Sequence, residues 1–528
     1  VRKSRLVFPV FCRSQLEYSI HKFQGYQHFI SDISAIPTGN DHRASILSVL
    51  PPRDVTDFLV STFFQFAQAN FFYIHPEIFN RKLSAFYEGT QEFDRQGLND
   101  SRKSAEFICL LFMVLAIGTQ FADIEPDTHE QQLDTAFLDP SALDISNIEP
   151  PERSSNPGWR FYKVAQSLLP DVVSSSSMTS VQACVLQGTF LLSTNARDVS
   201  YNMLGLALRM AVNMGMHRSV STESLHPHVR ELRNRLWWSV YIAERLFSVE
   251  MGRPLAIDDS EIDVSFPVDI PELNINGQGN VRHQIAMAQL CQIMGKIVKE
   301  VYSNRTMSKN GKEIHPRSFE RIRKELDRWK TELPEPLKLT RTSSRAVAHI
   351  HLTHDQAIIL LTRTCLNHAV ADNHVSPLTG ASRKFVHQNA RDCLSAARSS
   401  IQIMSVLRER SLLSRFSFHD FLYCSAALYV LLLGAKLDRL VTPVKASILE
   451  GISVLYELAK GSEAAASSLQ LISRGFRSFI KAQSSTSSTI ADFTDQHGRK
   501  QGRKAWQEWA SQTLSTSVSN IRLYSYVL

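Results

Sequence analysis

The chain has 528 residues, 43% of them hydrophobic and 21% charged, with a formal net charge of +7 and a pI of about 9.0. These values exclude a fibrous or broadly disordered chain and allow one very large core or two to three ordinary ones. The positive excess is thin over this length, whereas a dedicated nucleic-acid-binding domain concentrates its charge on one face.

The first segment, residues 1–49, is irregular in pattern and is closed by Pro51-Pro52. Its start, Val1-Arg2-Lys3-Ser4-Arg5, lacks the apolar stretch and small-residue cleavage site of a signal peptide. Beginning at Val rather than Met, the chain reads as a fragment or an incomplete gene product. Two apolar runs follow, Phe107–Gly118 and Phe421–Ala435. Both exceed a strand of about five to six residues and fall short of the roughly 20 that span a bilayer. They are expected to be buried core helices, with no membrane partner. Residues 123–158 are acidic and Pro-containing, as a solvated loop inside the helical region would be.

Leu204, Ala207, Leu208, Ala211 and Met214 recur at spacings of three and four, and so do Phe319, Ile322, Leu326 and Trp329. That is the helical period. Strict alternation over a strand's length is scarce, and the fold class is therefore all-α: a large multi-helix domain with loop insertions. The segments are a main domain at 50–440, C-terminal helices at 441–481, a Ser/Thr-rich and then basic flexible linker at 482–504, and a final segment at 505–528. The basic run Arg499, Lys500, Arg503 and Lys504 suits a nuclear-import patch or a solvated charge run.

Seven cysteines, Cys12, Cys109, Cys184, Cys291, Cys365, Cys393 and Cys424, are scattered and odd in number. That pattern does not fit a disulfide scaffold. No two form a C-x2-C pair, so the sequence encodes no zinc cluster. Most lie in apolar runs as buried free thiols. His349, His351 and His354 do not share one helix face and are read as structural or solvent-facing. Cys365 with His368 lacks further ligands. His129-Glu130 misses the second His of a zinc-protease motif, and there is no nucleophile elbow or phosphate-cradling loop. No catalytic, cofactor-binding or metal-binding residue is assigned.

Residues 229–267 are the most informative stretch. Leu232, Leu236, Val240, Ala243 and Phe247 line one helical face. Trp237 and Trp238 are adjacent, so this helix must be covered over a wide arc. Burying one indole is worth up to about 4–6 kcal/mol as an upper bound. The helix is expected to stop at Gly252, a left-handed cap position, because Pro254 drives Arg253 out of the helical region. Beyond it, Ile257, Ile262, Val264 and Phe266 alternate with Asp258, Asp259, Glu261 and Asp263, as in an extended segment pinned across a helical surface. Arg253 is placed to clamp one of those carboxylates with its guanidinium fork.

The block Leu236-Trp237-Trp238, Gly252-Arg253-Pro254, Ile257-Asp258, Asp263-Val264 and Pro267, after an Arg-rich helix start, resembles the middle homology region of fungal zinc-cluster transcription factors. Phe63-Phe64, Phe71-Phe72-Tyr73-Ile74-His75-Pro76, Gly215-Met216-His217-Arg218, Leu326-Trp329-Leu333-Pro334 and His351–Leu361 are similar to further blocks of that family. The resemblance covers roughly residues 50–440. It implies a non-enzymatic regulator of RNA polymerase II genes in the nucleus, with DNA and the transcription machinery as partners. It also implies a signal supplied by a small-molecule effector, a partner or the domain's own packing, dimeric binding to DNA as a homodimer, and zinc held by a cysteine cluster that lies upstream of Val1 or is missing. Two alternatives stand beside it. One is a stand-alone helical interaction protein without DNA binding. The other is a magnesium-dependent prenyl diphosphate enzyme using Asp258, Asp259, Glu261 and Asp263, since carboxylates are suitable hard ligands.

Overall fold

A computed structural model describes residues 46, 49–88, 101–124, 156, 158–219, 225–274, 279–302, 316–372, 380–435 and 441–487. Among the described residues there are fifteen α-helices and no strand, so the all-α expectation holds. In chain order they are α1 (Arg53–Thr62), α2 (Pro76–Glu88), α3 (Ser101–Gly118), α4 (Trp159–Ser167), α5 (Leu169–Ser175), α6 (Met178–Ser193), α7 (Arg197–Asn213) and α8 (Pro227–Glu250). They continue as α9 (Val281–Ile297), α10 (Pro316–Glu332), α11 (Arg345–Asp372), α12 (Gly380–Glu409), α13 (Phe418–Gly434), α14 (Val441–Ala459) and α15 (Glu463–Ser487).

The two most apolar runs become central helices because they have no polar face to offer water. Every residue from Phe107 to Ile117 in α3 is buried. Lys103–Phe121 is long and apolar enough to cross a membrane, but 94% of that apolar window is packed inside the fold. Helix α13 is buried in the same way, and its N-terminus is capped by Ser417, whose side chain accepts the Asp420 N–H. α3 packs on α1, α4 and α6, and α6 pairs with α7. On the other side α11 and α12 form the longest hairpin, covered by α13, which in turn carries α14 and α15. Helix α8 lies between these groups, touching α6 and α7 on one side and α9 on the other, and one continuous apolar core runs through all of them. The α6–α7 crossing is close at Gly188, where a Cβ would lie 2.7 Å from Leu204.

Six cysteines are described, and all are buried and free. Burial pushes the thiols of Cys184 and Cys393 up to about 12, so they behave as small apolar groups. One boundary differs from expectation. Residues 482–487 continue α15 rather than starting a linker. Leu469, Ile472 and Phe476 anchor the preceding turns in the core, and adding further turns to an existing helix is easier than nucleating one. The basic run Arg499, Lys500, Arg503 and Lys504, Cys12, and nearly all of the acidic segment fall outside the described residues. At the edge of that segment Asp123 pairs with Arg415, tying the two helical groups together.

Candidate regulatory site

Helix α8 begins at Pro227, a residue preorganised for the first helical position. It ends in a Schellman cap: Arg253 N–H reaches Ser248 O at 2.8 Å and Gly252 N–H reaches Val249 O at 3.4 Å. Gly252 has φ +61°, a conformation that disfavours any residue with a Cβ. The expected helix stop is therefore present. Pro254 is exposed just beyond it and turns the chain back.

The returning tail runs antiparallel to α8 and is held in sequence order. Glu244 Oε1 accepts from Ala256 N–H at 3.1 Å. Arg245 donates to Ile257 O and to Asp259 Oδ1, both at 2.9 Å. The Tyr241 hydroxyl donates to the same Asp259 oxygen at 2.7 Å. The Trp238 indole N–H donates to Ser265 O at 2.9 Å, and its ring packs 4.6 Å from that of Phe266. Near the start of the helix, Glu231 accepts Val268 N–H at 2.9 Å while Arg235 donates to Val268 O at 3.0 Å.

Glu231 and Arg235 are themselves paired at 2.9 Å and both are buried. Burial pushes the Glu231 carboxyl upward, and its bond to Arg235 opposes that push. Burial likewise raises Glu244. These charges lie inside because the tail's backbone gives them partners.

Trp237 and Trp238 are both buried, at 0% and 2% exposure, as the adjacent indoles required. Within the tail, Ile257 is half-buried against the core and Pro267 is buried at the far end. Asp263 accepts Ser219 N–H at 2.7 Å and pairs with Arg218 at 3.4 Å, which fastens the tail's outer edge to the α7–α8 connection. Arg253 does not clamp the tail. It is half-exposed, pairs with Asp198 of α7 at 2.8 Å and lies over the Tyr201 ring. Arg245 does the clamping instead, from two turns inside the helix. The tail folds back along α8, which carries its carboxylates away from Arg253. The missed signal was the series Arg235, Trp238, Tyr241 and Arg245, which repeats at three and four on one helix face.

The remaining carboxylates are also engaged. Asp258 caps the turn at Ser260 and pairs with Lys299 at 2.7 Å, and Glu261 pairs with Arg218 at 3.3 Å. Acidic groups that already hold cations and N–H donors are a poor magnesium cradle. The three histidines of α11 go to separate tasks: His349 to Asp420 at 2.8 Å, His351 to Leu337 O at 2.9 Å, and His354 stacked on Trp329. Among the described residues no three His, Cys, Asp or Glu side chains are grouped to hold a metal ion. Zinc therefore does not fit the donors present there.

The fold and this assembly define an all-α module in which a central helix is fastened to its own returning tail by side-chain hydrogen bonds. Residues 60–331 match the family described as the fungal specific transcription factor domain. The chain belongs to that family. It is 33% identical over 520 residues to an uncharacterised transcriptional regulatory protein of Schizosaccharomyces pombe, covering 97% of this chain and 59% of that protein. It is 29% identical over 470 residues to the thiamine repressible genes regulatory protein thi1 of the same organism, covering 88% and 55%. A Zn(2)-C6 fungal-type transcription factor of Macrophomina phaseolina is 27% identical over 239 residues, 45% of this chain and 28% of that one. The chain thus spans less than two thirds of the length of these relatives. No solved structure matches it.

Proposed function

We propose that this chain is the helical regulatory region of a nuclear transcription regulator controlling RNA polymerase II genes. The observation that carries the reading is the family match over the α8 assembly, together with relatives named as transcriptional regulators. DNA is contacted through a zinc-cluster module of the kind named for the Macrophomina relative; the described residues supply no such cluster. The transcription machinery is the downstream partner, and the whole protein acts as a homodimer under a small-molecule effector. A regulatory domain needs two states with different affinity for its signal, and α8 with its tail is the element whose position distinguishes them. Arg499, Lys500, Arg503 and Lys504 serve nuclear import.

Deleting the gene and measuring the transcriptome tests the function. The expected outcome is a defined set of transcripts that changes and is restored by the full-length protein. An unchanged transcriptome across growth conditions overturns it. Replacing the four basic residues by Gln tests import, with loss of nuclear signal expected and an unchanged distribution counting against it.

A further inference from the structure

A cavity lies behind the face of α8 opposite the tail. Its floor is Leu246 and Phe247 of α8, and its walls come from the wide turn Phe63–Ala67 and the residues after it, from α6, and from the first turns of α11 and α13. The free space is about 110 Å³, close to the ~150 Å³ that admits a single benzene ring in an engineered cavity. Most of the lining is aromatic or aliphatic carbon.

Of the polar side chains in that lining, Asn70, His349 and His419 bear on what could bind there. Asn70 is 7% exposed, and its Nδ2 donates to Ala346 O at 2.9 Å, which fixes the amide orientation. Its Oδ1 is then buried with no partner, an acceptor in need of a donor. His349 and His419 sit deep in the fold yet retain 15% and 25% free side-chain surface, and both line this space. Burial pushes both imidazoles down, His419 to about 4, so both are neutral at neutral pH. His419 offers one donor and one acceptor, whereas His349, whose Nε2 is already bonded to Asp420, offers its Nδ1 as an acceptor.

The wall carries no unbalanced charge. Arg345 grips Asp420 with two bonds of 2.7 and 2.8 Å, and Asp420 also accepts Ser414 N–H. A charged ligand loses hydration here without gaining a free counter-charge. A neutral ring gains apolar contact with the aromatic and aliphatic part of the lining.

From these features we infer that the cavity bounded by Asn70, Leu246, Phe247, His349 and His419 binds one small, neutral, single-ring molecule carrying a hydroxyl or N–H donor. Its occupant touches both helical groups at once. It is also one side chain from the end of α8: His419 Nε2 lies 4.0 Å from Glu250 Oε2, and Gly252, where the tail begins, is two residues further on. Occupancy therefore bears on the corner from which the tail departs. This deepens the regulatory reading by naming the chemistry of the effector, but binding is measured on the chain alone.

The test uses the 528-residue chain with p-cresol and benzyl alcohol as probes and benzoate and benzylammonium as charged controls. The neutral probes are expected to raise Tm saturably, by about 2 °C at a hundredfold excess over Kd, while the charged ones do not. Ala243→Phe, which fills the space from α8, is expected to abolish the shift. Hydrogen exchange on the unmodified chain checks the location independently of that variant. Added p-cresol should slow exchange at Phe66–Tyr73 and Phe418–Asp420. Stabilisation by benzoate equal to that by p-cresol, protection confined to other segments, or no saturable binding overturns the inference. None of these outcomes touches the transcriptome test, and an unchanged transcriptome beside clear binding leaves the site standing and removes the regulatory reading.

Discussion

The two faces of α8 contrast sharply in how they treat polar groups. Toward the tail, Glu231, Arg235, Trp238, Tyr241, Glu244 and Arg245 all hold hydrogen bonds to residues 256–268. Toward the cavity the helix presents Leu246 and Phe247, and at its end both oxygens of Glu250 lack a hydrogen-bond partner. One face fixes a neighbour in a single register. The other borders open space, and the carboxyl at its end has neither oxygen bonded. Buried charge on the first face specifies position; on the second, burial alone keeps a carboxyl neutral.

Four substitutions break or sharpen this contrast. The largest effect falls on the tail side. Trp238→Ala removes the indole and its bond to Ser265 and is expected to cost about 3–5 kcal/mol in urea unfolding. Unchanged stability would show that the tail does not cover it.

Glu250→Gln acts on the cavity side with opposite sign. Glu250 has an ordinary value of 4.5, and burial raises it to about 8 in the fold. Its contribution favours folding fully below the lower value and is lost as pH rises through the higher one. The Gln variant should therefore gain on the parent progressively across that window, reaching a few kcal/mol at pH 8. Parallel stability–pH curves for the two proteins would refute it. His419 titrates the other way: its folded value of about 4 lies below the ordinary 6.5, so its contribution is present above the latter and lost as pH falls through the former.

Gly252→Ala strains the left-handed cap and should cost about 1–2 kcal/mol, read from the same unfolding curves; a neutral result would mean that the corner relaxes freely. The smallest effect belongs to Arg253→Ala. Its exposed pair with Asp198 predicts a change within about 0.5 kcal/mol and no faster exchange in residues 256–268. A loosened tail would restore the clamp that its position in sequence suggested.

Much of α8 was legible in the sequence because its signals are local. The Trp pair, the glycine at the stop and the proline after it all act within one turn of themselves. The cation that holds Asp259 was not legible. Choosing Arg245 over Arg253 requires knowing that the tail doubles back, and that follows from long-range packing of Phe266 and Val268 beside the first half of the helix. The cavity was hidden for a stronger reason. Its lining is drawn from residues 63–73, 117–121, 189–204, 243–247, 345–349 and 417–419, and each piece taken alone is ordinary core. The Phe63–Ala67 turn is wider than an α-helix, with Gln68 N–H reaching Phe63 O at 3.2 Å, and a widened turn gives no distinctive hydrophobic period.

The antiparallel return of the tail also sets its mechanical character. Bonds arranged in a row beside a helix that ends at the chain's own corner form a zipper, not a clasp. Tension applied from residue 269 onward meets Val268 first, then Ser265, then Asp263, then Asp259, one load at a time. The contacts of Ile257 and Ala256, beside the Gly252 corner, are the last to feel it. A partner pulling from that side would open the assembly in graded steps, whereas a force at the corner itself would load the contacts of Glu244 and Arg245 together.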